Sequence, residues 1–118
     1  MKLALLCVAF AGCSFARDRE AHFFDTRVAP ILSHRCLGCH NQELKDGGIS
    51  FLDRASLLKG GPHGPAIVPG NPRASMLLIA LRHEGQLQMP PGPKLPSKEI
   101  AILTRWIERG AVWGTALH

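Results

Sequence analysis

The run Cys36-Leu37-Gly38-Cys39-His40 decides how the rest of the chain is read. Two thiols three positions apart, followed at once by an imidazole, put three reactive side chains on little more than one helical turn. The chain holds four cysteines and six histidines, and chance would place them in this pattern on the order of once in a hundred such chains. Thiols at this spacing can add across the two vinyl groups of a haem while the adjacent imidazole lies against the iron, which is the c-type attachment pattern. Three rivals use the same residues. A thioredoxin-like redox pair needs a βαβ setting, yet the segment before Cys36 reads helical and no buried β-rich strand flanks it. A structural zinc site needs four ligands, and no second close Cys/His pair completes Cys36, Cys39 and His40. A disulfide between Cys36 and Cys39 closes too small a loop to stabilise much and leaves His40 unexplained. The reading adopted is one haem c with its iron, bound covalently through Cys36 and Cys39, with His40 as an axial ligand.

Upstream of these residues, Phe24, Val28, Ile31 and Leu32 recur at helical spacing. Proline is favoured in a first helical turn, so an ordered helix is predicted to start near Pro30 and run into Cys36, with residues 17–27 as a lead-in. Downstream, Gly47-Gly48 breaks the chain, and Arg54 to Lys59 is a short helix capped by Asp53 and ended by Gly60-Gly61. A Gly/Pro loop follows to Pro72. Asn71 as cap and Pro72 in the first turn predict a helix ending at Gly85, with Met76, Leu77, Ala80 and Leu81 on one face. A second loop carries Pro90, Pro91, Pro93 and Pro96, which stiffen it and lack backbone donors. Ser97 is the predicted cap of the last helix, with Glu99 suiting the helix dipole and Ile100, Leu103, Trp106 and Ile107 as the apolar stripe until Gly110. Trp106 is expected in the core rather than at a haem edge. The fold class is all-α, with short helices and long Gly/Pro loops.

An iron held by His40 takes a second axial group, usually methionine or histidine. Met89, in the proline-rich loop, is the candidate metal ligand. Met76 sits within a helix and reads as core packing. His63 and His83 are the histidine rivals, and either would give a bis-His site. His22, His34 and His118 read as surface residues. The free ring N–H of His40 is expected to donate to a backbone carbonyl, with Gly64 or Pro65 as the guess.

The 118 residues, 46% of them apolar, with a formal charge of +5, describe one small domain and exclude a two-domain enzyme or a disordered tail. Basic residues such as Arg35, Lys45, Arg73 and Lys94 are scattered among acids, so no nucleic-acid surface is indicated. Residues 1–16 read as an export signal: Met1-Lys2, an apolar run from Leu3 to Gly12, then Ser14-Phe15-Ala16 as a cleavage site. That run is too short to span a bilayer. Phe10-Ala11-Gly12-Cys13 also resembles a lipoprotein box, which makes a lipid anchor at Cys13 the alternative. The expected destination is periplasmic, or membrane-associated on the outer side.

Taken together, Val28-Ala29-Pro30-Ile31-Leu32, the Cys36–His40 run, Gly47-Gly48-Ile49-Ser50, Gly60-Gly61, Pro65-Ala66-Ile67-Val68-Pro69-Gly70, Met89-Pro90-Pro91 and Ile107-Glu108-Arg109-Gly110-Ala111-Val112-Trp113 resemble the planctomycete-type cytochrome c domain. The resemblance covers residues 28–113, leaving 114–118 as a tail, and implies the cytochrome c fold. It also implies Cys36 and Cys39 as thioether residues, His40 as proximal ligand and Met89 as distal ligand. Such domains often stand ahead of larger exported regions, so a chain ending soon after Trp113 is expected either to act alone or to be a truncated relative. The functional expectation is a monohaem electron carrier, not itself an enzyme, passing single electrons between a redox-protein donor and acceptor. Two alternatives stay open: a haem module serving a separately encoded catalytic subunit, and a haem sensor or peroxidase with a labile sixth ligand. Folding is expected to depend on the haem, because long Gly/Pro loops bury little without it.

Overall fold

A computed structural model describes residues 14–41 and 48–117. The apolar part of the expected export signal, with Cys7 and Cys13, lies outside the described residues, as do Asp46, Gly47 and His118. Among the described residues there are four helices and no β-strand, and an isolated antiparallel bridge joins Gly61 to Gly64. None of these helices is long and apolar enough to cross a membrane.

The first helix, α1 (residues 14–36), starts well before Pro30, which corrects the expected start. The proline is accommodated because the helix widens around it. Phe24–Val28 and Leu32–Cys36 are π-helical, with Ala29 N–H bonded to Phe24 C=O and Leu37 N–H to Leu32 C=O at 3.0 Å. Such wide turns shift the hydrogen-bond register and absorb the donor that proline lacks. Phe24, Val28, Ile31 and Leu32 are buried as the periodicity predicts, together with Ala29 and Cys36.

The second helix, α2 (Arg54–Lys59), follows its sequence signals: Asp53 Oδ1 accepts the Ser56 N–H at 2.7 Å, and Gly60 leaves the helix at φ 69°. A side chain at Gly60 would strike the Gly64 carbonyl, so this turn requires glycine on both conformational and steric grounds. The Leu57 carbonyl then accepts N–H bonds from Ala66 and Ile67, fastening the Gly/Pro loop to α2.

The single helix expected from Asn71 to Gly85 is instead a 3₁₀ turn, Pro72–Ala74, followed by α3 (Met76–Leu81). Ser75 divides them. It is extended in backbone and fully buried, and its hydroxyl accepts Val68 N–H at 2.9 Å and donates to Asn71 C=O at 2.9 Å. A serine hydroxyl so engaged competes with helix continuation. The helix α3 ends at Leu81 because His83 turns the chain at φ 56°.

The last helix, α4 (Ser97–Glu108), has Pro96 at its cap position and no side-chain cap bond, so Ser97 does not play the expected capping role. Glu99 is held instead by Arg35, whose Nε and Nη2 each donate to one carboxylate oxygen at 3.0 Å. Leu103, Trp106 and Ile107 are buried. Trp106 is core, as expected, and its indole N–H donates to Val112 C=O at 2.9 Å.

The middle of α1 meets the C-terminal segment on this side. Phe24 of α1 packs against Trp106 and Trp113 with ring centroids 5.7 and 4.2 Å apart. The Asp25 carboxylate accepts the N–H groups of Thr115 and Ala116 at 2.8 and 2.9 Å. Arg54 donates to the carbonyls of Ala111 and Gly110, which ties α2 to the turn after α4.

Candidate haem-binding site

Where α1 ends, the chain makes a tight turn in which Cys39 and His40 N–H both bond to the Cys36 carbonyl, at 3.2 and 3.0 Å. The turn carries the Cys36-Leu37-Gly38-Cys39-His40 run to the edge of a cavity of about 260 Å³. Cys36 is buried and Cys39 exposed. Burial pushes the Cys36 thiol up to about 12, with the nearby Arg35 charge only partly opposing it. Cys36 therefore stays a neutral thiol across the physiological range.

His40 is held on two sides by the segment 49–51. Its Nδ1 lies 3.2 Å from the Ile49 carbonyl, and since a carbonyl only accepts, Nδ1 carries the proton and donates. The Nε2 lone pair is thereby left for a metal, the arrangement usual for ligating histidines. The imidazole stacks on Phe51 at 4.6 Å, and the His40 carbonyl accepts Phe51 N–H at 2.7 Å. The partner of His40 is thus Ile49 and not Gly64 or Pro65, because the segment after Gly48 runs alongside the haem-motif turn.

The remaining wall is chiefly apolar, with Ile49, Phe51, Ala66, Leu77, Ala80, Leu81 and Leu95 among its side chains, and Met89 lines it too. Cys36, Cys39, His40 and Met89 are therefore brought to one cavity. Met76 also faces it, half-buried, which corrects its reading as core packing: the face Met76, Leu77, Ala80 and Leu81 of α3 looks onto the cavity. Of the histidine rivals, His63 is on the wall and exposed, whereas His83 is not on the wall. His83 instead donates from Nε2 to the Met89 carbonyl at 2.8 Å. His22 and His34 are exposed, as expected.

Phe51, the Ile49 carbonyl, the Arg35–Glu99 pair and the His83–Met89 bond escape the sequence reading. A signal existed for the first two. Ile49 and Phe51 alternate just after a glycine break, which is the spacing that puts both side chains of an extended segment on one side. The other two pairings join residues far apart in sequence or ride on a loop conformation that no local pattern announces.

Two thiols, an imidazole with a free Nε2, a thioether and an apolar wall make a donor set suited to a covalently attached haem. Residues 36–93 match the family model of planctomycete cytochrome C, and the chain carries a planctomycete-type cytochrome c domain. No curated protein and no solved structure matches the chain significantly. The cytochrome c family implies a covalently bound haem with iron and fits an electron carrier rather than a catalytic enzyme.

Proposed function

We propose that the chain is an exported monohaem c-type cytochrome of cytochrome c-like fold that passes single electrons between a donor and an acceptor redox protein. The observation that carries this reading is the convergence of Cys36, Cys39, His40 and Met89 on one apolar cavity. Cys36 and Cys39 would anchor the haem through thioether bonds, and His40 Nε2 and the Met89 sulfur would hold its iron. Bound there, the haem supplies a one-electron iron couple. The Ile49 carbonyl fixes the His40 tautomer and makes the imidazole a stronger donor. Apolar side chains from α3 and from segment 49–51 would keep water out and favour the less charged, ferrous state, which would raise the potential. With His40 and Met89 both holding the iron, small ligands such as oxygen or peroxide would find no open site. Export to the periplasm or the outer side of a membrane rests on the pattern of residues 1–16.

The test is expression of the full chain with a cytochrome c maturation system, followed by a pyridine haemochrome spectrum and intact mass. One covalent haem with a c-type spectrum is expected, and the ferric protein should show a sulfur-to-iron charge-transfer band that Met89→Ala abolishes. Absence of covalent haem returns Cys36 and Cys39 to a disulfide or metal role. Rapid carbon monoxide binding by the reduced protein favours a sensor or peroxidase instead.

A further inference from the structure

We infer that His83 is the positioning residue of the Met89 loop: its imidazole, docked on the Met89 carbonyl, holds that residue at the cavity wall. The inference rests on the reading of Met89 as axial ligand.

Met89 is clamped at both of its backbone polar groups. Its N–H donates to the Ala80 carbonyl at 3.1 Å, and its carbonyl accepts from His83 Nε2 at 2.8 Å. Both anchors come from the end of α3 and the turn just beyond it. The chain after Met89 offers little to replace them, because Pro90, Pro91, Pro93 and Pro96 have no N–H to donate. The intervening loop is closed from within: Gln88 Nε2 donates to the carbonyls of His83 and Gly85 at 3.3 and 3.1 Å.

His83 has a left-handed backbone, φ 56°, which a residue with a Cβ adopts only at a cost. That conformation is compensated by what it accomplishes, for it turns the chain out of α3 and brings the imidazole onto Met89. The bond needs only a proton on Nε2, which the neutral ring supplies. His83 is absent from the cavity wall while its bond partner is on it. It thus acts on the ligand through the ligand's own peptide group, as an outer support rather than as a competing ligand.

The experiment uses matured, haem-loaded protein in four forms: wild type, His83→Leu, His83→Gln and Met89→Ala. The readouts are the ferric sulfur-to-iron band and the affinity of the ferric protein for added imidazole. Removing an outer support of a metal ligand costs about 10- to 100-fold in that ligand's binding. His83→Leu should therefore weaken the band and raise imidazole affinity about tenfold or more, with helical circular dichroism unchanged. His83→Gln, whose amide can still donate to the carbonyl, should recover most of both. If His83→Leu matches wild type in band and affinity while Met89→Ala loses the band, the inference falls and the ligand reading stands. If Met89→Ala keeps the band, both fall. Should His83→Leu fail to mature, nitrogen-15 NMR of wild type decides: a slowly exchanging His83 Nε2–H coupled to the Met89 carbonyl supports the inference, and a rapidly exchanging one overturns it.

Discussion

The side of the molecule where α1 meets α4 and the side that surrounds the cavity are built on different principles. On the first, large side chains fill space against each other: Phe24 and Trp106 are buried and pack together with Trp113. Polar bonds there finish what burial has organised, as in the indole bond of Trp106 to Val112. On the second, side chains face an open volume, and their positions are set by bonds to backbone groups: His40 to Ile49, His83 to Met89, Met89 to Ala80, Ala66 and Ile67 to Leu57. One side is therefore organised by packing, and the other is a frame of backbone bonds around a wall drawn from the same core.

The largest effect that would sharpen this contrast is expected from Cys36→Ala combined with Cys39→Ala. Intact mass should show no covalent haem, and hydrogen exchange at Phe51 and Met89 should lose its protection as the fold fails to consolidate. A double variant that stayed compact, helical and protected around the cavity would break the contrast. Next comes the packed side itself. Trp106→Ala in haem-loaded protein should lower stability to denaturant by about 3–5 kcal/mol; a loss under about 1 kcal/mol would mean that burial there matters little. Smaller again is Ser75→Ala, which takes from the half-buried Val68 N–H its hydroxyl acceptor and should lower stability to denaturant by about 1 kcal/mol. The smallest effect is expected from Arg35→Ala. The Arg35–Glu99 pair is partly exposed, and its contribution to the thermal midpoint should shrink as salt is added.

What could be read beforehand follows the same division. The apolar stripes of α1 and α4 were legible because burial imposes a period on sequence, and the cap at Asp53 was legible because a short polar side chain before a helix has one obvious use. Cys36, Cys39, His40 and Met89 could be chosen as candidates because their chemistry is rare and their spacing specific. The frame was not legible. Ser75 splits a helix by a hydroxyl bond to a loop seven residues away, Glu99 in the first turn of α4 also pairs with Arg35 far back in the chain, and His83 looks like a ligand until its backbone turns it elsewhere. Pro30 misled for a related reason, since the π turns that accommodate it depend on the packing of Phe24 and Leu32 and not on a local preference.

The clasp on His40 has a consequence in entropy. A free histidine side chain rotates about two bonds and exchanges its proton between two nitrogens. With Nδ1 on the Ile49 carbonyl and the ring against Phe51, both freedoms are surrendered when the chain folds. The ordering cost that a ligand would otherwise impose on binding is thereby reduced, and an iron bound there would meet an imidazole already in one orientation and one tautomer.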